Sequence, residues 1–188
     1  MTLAYAGAQL TSPIDGVVVR YRVQSTAWGN ISLRILRPAA AGAFDAVATS
    51  TPAFVGGALD DLTHQVGTRL PIAVGDQIGI DSDSSVTLKS VATSGWMYGY
   101  WDPRLLDSDA PSAPNVGSSD TAVLFNADVE ADADHDGFGD ETQDSCPGVP
   151  GPQAGCPIPT TQMKKKCKHG KKHRSAQSAK KKCKKRRK

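Results

Sequence analysis

The sequence has no long apolar run and few aromatic residues. None of its segments approaches the roughly 20 consecutive apolar residues of a transmembrane helix, so the sequence predicts no membrane-spanning segment. Aromatic residues make up 6% of the 188 residues, whereas the chain holds 18 glycines and 12 prolines. A composition this rich in turn formers favours β structure over a helical bundle.

The chain also starts without a recognisable export signal. Its first residues lack the basic region and the roughly 7 to 15 apolar residues that make up a secretory signal peptide. Two explanations compete for this start. Either the protein is cytoplasmic, or the start is misassigned and an upstream leader and strand are missing.

Motifs for enzyme chemistry are lacking as well. The sequence contains no G-x-S-x-G nucleophile motif, no H-E-x-x-H zinc motif and no glycine-rich phosphate loop. His64 lies beside Asp60 and Asp61, and we interpret a lone histidine in such a loop as a surface group. We therefore expect no enzymatic activity.

Charge is strongly segregated along the chain. Residues 1–127 carry seven basic and eleven acidic residues, residues 128–163 carry eight acidic and no basic residues, and residues 164–188 carry fifteen basic and no acidic residues. Each segment is expected to attract partners of the opposite sign. This layout is more typical of binding than of catalysis.

Residues 14–125 show short apolar runs broken by Gly, Pro, Asp and Ser, the pattern of half-buried antiparallel strands. The odd-numbered residues from Val17 to Val23 are expected on the buried face, with Val18 on the opposite face. With no amphipathic helix between the strands, the pattern predicts an all-β fold, an antiparallel β-sandwich of jelly-roll or Greek-key type. Further strands are predicted at residues 31–36, 44–49, 68–74, 77–81, 85–91, 96–101 and 121–126.

The most specific motif lies in the acidic segment. Carboxylates occupy positions 1, 3, 5 and 9 of a loop that starts at Asp132, with Gly137 at position 6. A hard cation such as Ca²⁺ takes six to eight oxygens at about 2.3 to 2.6 Å, and alternate carboxylates on a tight turn can converge on it. Position 12 is Gln143 rather than the Glu of an EF-hand, so Glu141, Asp144 or water must supply further oxygens. The alternative is an acidic, solvated linker. The candidate ligands are the carboxylates of Asp132, Asp134, Asp136, Asp140 and Asp144 and the carbonyl oxygen of Phe138.

This segment resembles a thrombospondin type-3 repeat, whose pattern is D-x-D-x-D-G-x-x-D-x-x-D-x-C followed by Pro. The matching residues are 132–147, which read D-A-D-H-D-G-F-G-D-E-T-Q-D-S-C-P. The first four aspartates and the Phe138 carbonyl match directly, whereas Asp144 and Cys146 match after a one-residue insertion. The resemblance implies an extracellular calcium-binding module without flanking helices. Because such repeats normally occur in tandem and this chain has one, a weak affinity on the order of 10⁻⁴ to 10⁻³ M is implied.

All four cysteines follow residue 127. An even number of cysteines in a loop-rich sequence suits disulfides formed in an oxidising compartment. We favour the pairs Cys146 with Cys156 and Cys167 with Cys183, although four cysteines allow three pairings and the sequence does not choose among them. The alternative is a zinc site formed by Cys167, His169, His173 and Cys183.

Residues 164–188 form a cationic tail suited to contact with polyanions such as cell-wall polymers, anionic lipid headgroups or nucleic acid. The tail has no aromatic residue for base stacking, so no specific nucleic-acid recognition is expected. A disordered, solubilising tail is the alternative. The predicted contact residues are Lys164, Lys165, Lys166, Lys168, Lys171, Lys172, Arg174, Lys180, Lys181, Lys182, Lys184, Lys185, Arg186, Arg187 and Lys188.

These changes in composition divide the chain into four predicted parts. They are a β-sandwich domain truncated at its N-terminus (1–127), a thrombospondin type-3-like calcium loop (128–147), a Pro-rich linker (148–163) and a disordered or partly helical basic tail (164–188). The whole layout also looks like uncharacterised secreted proteins of high-GC soil actinobacteria. That resemblance favours export.

Together these features predict a non-enzymatic extracellular calcium-binding protein, surface-associated or adhesive, whose tail contacts polyanions. The alternative is a lectin-type, polysaccharide-binding β-sandwich in which calcium only stiffens the linker. Residues 96–101 carry the aromatic cluster on which such a lectin would stack sugars. The other interpretation is that Trp96, Tyr98 and Tyr100 fill the core.

Overall fold

The structure, a computed structural model, describes residues 2–6, 10–56, 63–83 and 86–159, with side chains from residue 10 onward. Its regular structure consists of β-strands and short 3-10 turns, such as that at Ala40–Gly42, with no α-helix in these ranges. The strands are β1 (Thr2–Ala6), β2 (Gly16–Gln24), β3 (Gly29–Pro38), β4 (Phe44–Thr49), β5 (Ala53–Val55), β6 (Thr63–Ile72), β7 (Gln77–Ser82), β8 (Ser90–Trp101), β9 (Val116–Val123) and β10 (Phe125–Glu130).

The strands form two antiparallel sheets. The first has the order β4-β3-β7-β1-β8-β9, with β5 also paired to β3, and the second has the order β10-β2-β6. The prediction of an all-β antiparallel fold is therefore confirmed. No strand was predicted before residue 14, but β1 lies there and pairs with both β7 and β8.

One hydrophobic cluster joins the two sheets. Tyr21 and Val23 of β2 and Leu33 and Ile35 of β3 all belong to it, and each is at most 1% exposed. Burial of side chains of this size contributes about 1.5 to 3 kcal/mol each. The alternation of apolar residues along these strands is what brings them to a common side.

A β-bulge changes the faces of β2. The pairing of β10 with β2 shifts register between Asp128 and Val129, which oppose Arg20 and Val18, so Val19 is the extra residue. Val18 consequently joins the main cluster beside Tyr21, and its expected place on the opposite face was wrong. Val19 instead contacts the acidic segment, where a Cβ on Gly139 would lie 2.6 Å from its Cγ1.

Ion pairs of β3 connect it to neighbouring segments. The buried guanidinium of Arg34 pairs with Asp81 of β7 and with Asp107 in the loop after β8. Arg37 pairs with both oxygens of the buried Asp76 at 2.8 Å. Because a buried charge is costly without a partner, these pairs constrain how β3, β7 and the loop are arranged.

The aromatic cluster of β8 faces the protein interior in part. Trp96, Tyr98 and Tyr100 are half-buried and pack against the main cluster, in line with core filling. Trp101 is buried in a second, smaller cluster, where its ring meets that of Phe44 edge to face at 5.9 Å. Offset and edge-to-face contacts are the favoured geometries of aromatic pairs.

Residues Met1–Ile158 form one compact unit. Within the part of the chain that the structure describes, no helix has the length and apolar character needed to cross a membrane. The basic tail, and with it the predicted polyanion contacts, lies outside the described residues.

Candidate metal centre

The acidic segment is attached to the end of β10 through Glu130. The Glu130 carboxylate is buried, and its Oε2 accepts the backbone N–H groups of Glu141 at 3.1 Å and Thr142 at 2.9 Å. Its Oε1 accepts the Thr142 hydroxyl at 2.6 Å. Three donors on one carboxylate hold the turn at residues 139–144 against the strand end.

A second attachment joins the segment to β2 and β6. The Gln143 side-chain amide donates to the carbonyl oxygens of Thr68 at 2.7 Å and Val19 at 3.4 Å. The Arg69 guanidinium lies 4.0 Å from the centre of the Phe138 ring, a cation–π contact. Gln143, which occupies the position of the EF-hand Glu, therefore acts as an anchor of the loop.

Three carboxylates converge within the segment. Asp132, Asp134 and Asp136 each offer an oxygen, and these oxygens lie within 4.8 Å of one another. Backbone N–H groups orient them: Asp132 accepts from Asp136 at 3.1 Å and from Gly137 at 2.9 Å, and Asp136 accepts from Phe138 at 3.0 Å. Gly137 adopts φ 83°, the left-handed conformation that a turn this tight requires. We call these three residues the aspartate cluster.

Asp144 adds a fourth negative charge beside the aspartate cluster. Its Oδ1 accepts the Cys146 N–H at 2.6 Å, while its buried Oδ2 has no hydrogen-bond partner among the described residues. Partial burial and the charges of Asp136 and Asp144 raise the pKa of Asp134 above its ordinary value. A bound cation would relieve both the repulsion and the unpaired oxygen.

A disulfide closes the loop that follows. Cys146 and Cys156 are bonded, and this is the pair that the sequence analysis favoured. Within the ring they close, the N–H of Gly148 donates to Asp134 Oδ2 at 3.1 Å and the N–H of Gly151 donates to Asp136 Oδ2 at 2.9 Å. We call residues 146–156 the disulfide loop. It contacts the aspartate cluster through its backbone.

The other predicted ligands have different surroundings. Both oxygens of Asp140 accept the Ala133 N–H at 3.2 Å, which places this carboxylate across the start of the loop. The Phe138 backbone is part of the turn, and its carbonyl oxygen as a ligand stays a prediction. Cys167 and Cys183, as a disulfide or as a zinc site, lie outside the described residues.

Two features of this centre were not predicted from the sequence. Glu130 ends a strand, and nothing in the local pattern distinguishes it from an exposed acidic residue. Gly148 and Gly151 were interpreted only as part of a Pro-rich linker. Their role in the structure depends on backbone N–H groups, which carry no sequence signal of their own.

His64 makes a local bond. Its Nε2 accepts the Gly56 N–H at 3.2 Å, a contact that links β6 to the residue after β5. The neighbouring Asp60 and Asp61 lie outside the described residues. The absence of enzymatic activity stays a prediction.

Within the described residues, the fold and the site define an antiparallel all-β protein with the Cys146–Cys156 disulfide and a cluster of three aspartates whose geometry could hold a metal ion. Comparison with protein-family models, curated proteins and solved structures finds no match for this chain. The thrombospondin type-3 resemblance therefore rests on residues 132–147 alone.

Proposed function

We propose that this chain is a non-enzymatic extracellular calcium-binding protein whose metal centre is the aspartate cluster, completed by Asp140 and Asp144. The observation that carries the proposal is the convergence of Asp132, Asp134 and Asp136, whose carboxylate oxygens lie within 4.8 Å of one another. The buried, unpartnered Oδ2 of Asp144 supports it independently. A buried carboxylate oxygen without a donor is costly unless a cation binds it.

The donor set favours calcium over other metals. All the predicted ligand atoms are oxygens, and hard oxygen ligands suit Ca²⁺ and Mg²⁺ rather than metals that prefer nitrogen or sulfur. Mg²⁺ demands a near-ideal octahedron and retains its waters, whereas Ca²⁺ accepts irregular geometry and carboxylates from a flexible loop. The cluster presents its carboxylates on one short loop, and this arrangement suits Ca²⁺.

The wider setting belongs to the same proposal. The hydrophobic cluster shared by the two sheets supports a β-sandwich, and the disulfide supports an extracellular site, because such bonds persist in oxidising compartments. The fifteen basic residues of the tail would attach the protein to a polyanionic surface such as a cell-wall polymer. Attachment of this kind would weaken as salt increases.

Calorimetric titration of the full chain with calcium chloride tests the proposal. The matched variants are Asp134→Asn with Asp136→Asn, which removes two charges from the cluster, and Asp109→Asn, which removes one exposed charge elsewhere. We expect the wild type and the Asp109 variant to bind with a Kd on the order of 10⁻⁴ to 10⁻³ M, and the double variant to lose binding. Equal heats for wild type and double variant, or none for the wild type, would refute a calcium centre here.

Polysaccharide binding is a second candidate, and a groove favours it. The groove has a volume of about 640 Å³ and is lined by Trp96 together with the amides of Gln24 and Asn126. This volume lies within the range of about 300 to 1,000 Å³ typical of ligand sites. An aromatic ring and amides suit the apolar faces and hydroxyls of a sugar.

A titration with soluble neutral polysaccharides tests this second candidate. Gln24→Ala with Asn126→Ala should abolish binding, whereas Gln65→Ala, an exposed amide on the same sheet outside the groove, should leave it intact. Binding that survives the double variant would place the sugar site elsewhere. No binding by the wild type would remove this candidate.

A further inference from the structure

We propose that the disulfide loop is the positioning element of the calcium centre, so that calcium affinity depends on the Cys146–Cys156 bond and the stability of that bond depends on calcium. This inference rests on the proposed function and concerns the regulation of the same site. It makes the centre sensitive to the redox state of its surroundings.

The contacts that carry the inference are three backbone hydrogen bonds. Cys146 donates to Asp144, Gly148 to Asp134 and Gly151 to Asp136, at 2.6, 3.1 and 2.9 Å. Each bond engages one oxygen of a carboxylate and fixes the direction of the other. The disulfide loop thus orients two members of the aspartate cluster and the neighbouring Asp144.

The disulfide loop reaches these carboxylates only because its backbone is tightly folded. A Cβ on the buried Gly151 would lie 2.0 Å from the carbonyl carbon of Cys156, and one on Gly155 would lie 1.7 Å from Asp144 Oδ1. The Ser145 N–H donates to the Ala154 carbonyl at 3.0 Å, which closes the ring beside the disulfide. Contacts this close require the two ends of the ring to stay together.

Breaking the disulfide would release the ends of this ring. The ring would then regain conformational freedom, and its N–H groups would hold the carboxylates less often. Groups that orient metal ligands from outside the coordination sphere change metal affinity by about 10 to 100-fold when removed. We expect a loss of calcium affinity in this range on reduction.

The coupling must act in both directions. If the oxidised form binds calcium more tightly, calcium must stabilise the oxidised form by the same factor. Reduction by a dithiol converts the disulfide into the two thiols of Cys146 and Cys156 and converts the dithiol into its cyclic disulfide. Calcium should therefore shift this exchange towards the protein disulfide.

The first experiment compares calcium titrations of the full chain with two double variants. Cys146→Ser with Cys156→Ser should weaken calcium binding by about 10 to 100-fold, whereas Cys167→Ser with Cys183→Ser should not. Equal affinity of all three proteins would overturn the coupling while leaving the calcium centre intact. No calcium binding by the oxidised wild type would instead refute the proposed function, and the coupling with it.

A second measurement tests the coupling in the wild-type protein, without cysteine variants that could fail to fold. Wild-type protein is equilibrated with dithiothreitol buffers of graded redox potential, and the thiols of Cys146 and Cys156 are quantified by alkylation and mass spectrometry. With saturating calcium chloride the midpoint should shift towards more reducing buffers, and Asp134→Asn with Asp136→Asn should abolish the shift. An unchanged midpoint in the wild type would overturn the coupling.

Discussion

The carboxylate of Glu130 and the side chain and backbone of Thr142 form a two-point contact, with the Thr142 hydroxyl at 2.6 Å from Oε1 and its N–H nitrogen at 2.9 Å from Oε2. This contact joins the last residue of β10 to the turn that follows the aspartate cluster. The buried Glu130 therefore links the β10-β2-β6 sheet directly to the candidate metal centre.

Replacement of Glu130 with Ala should destabilise the protein. It would leave the Thr142 hydroxyl and the N–H groups of Glu141 and Thr142 without their acceptor, and hydrogen bonds to a charged group contribute about 1.5 to 3 kcal/mol each. We expect urea denaturation to show a loss of at least about 1.5 kcal/mol in unfolding free energy. Glu141→Ala, at an exposed side chain, is the control, and equal stability of both variants would contradict the assigned role.

The stability should depend on the ionisation of Asp128. Hydrogen bonds from Arg22 and Arg20 lower the pKa of Asp128 from 3.8 to about 2. Because the folded-state pKa is the lower one, this contribution is present above pH 4 and is lost as the pH falls from about 4 to about 2. The pair is about one-third exposed, so solvent screening limits its contribution to under about 1 kcal/mol.

Urea denaturation of wild type and Asp128→Asn between pH 6 and pH 2.5 measures this contribution. The difference in unfolding free energy should be largest near neutral pH and should shrink as the acid limit is approached. A difference that is constant with pH would show that Asp128 stabilises the fold by packing rather than by its charge.

Two glycines allow a matched test of the close contact at Asp144. Gly155 and Gly42 have nearly the same φ, 76° and 75°, but a Cβ at Gly155 would lie 1.7 Å from Asp144 Oδ1, whereas Gly42 has open space. Both alanine variants carry the cost of a positive φ, about 1 kcal/mol, and only Gly155→Ala must also displace Asp144. We expect Gly155→Ala alone to weaken calcium binding in calorimetry. Equal binding by both variants would exclude Asp144 from the centre.

The buried guanidinium of Arg34 should be critical for stability. Its side chain is 3% exposed and pairs with Asp81, whose side chain is also buried. Arg34→Ala would leave a buried carboxylate without its cation, a change that costs about 3 to 5 kcal/mol in comparable cases. Chemical denaturation should show a loss of this size, whereas the exposed Arg104→Ala should change little. A loss below about 1 kcal/mol would mean that Asp81 finds other compensation.

The strand predictions succeeded where the apolar alternation was regular. The predicted strand at residues 44–49 coincides with β4, and the one at 77–81 lies within β7. The end of the predicted strand at 85–91 and the whole of the one at 96–101 belong to a single strand, β8. This strand contains a register irregularity between Ala92 and Met97. A bulge interrupts the apolar alternation within one strand, so the sequence pattern alone predicts two separate strands.

The period-two pattern that makes the protein all-β and the D-x-D-x-D-G spacing that brings three carboxylates onto one turn can both be predicted from the sequence, because both depend on neighbouring residues. Three further features are seen only in the folded chain: β1 lies between β7 and β8, Glu130 and Gln143 anchor the loop, and the disulfide loop contacts the aspartate cluster. These contacts join residues distant in sequence or use backbone groups common to every residue. Local sequence patterns therefore do not predict these contacts.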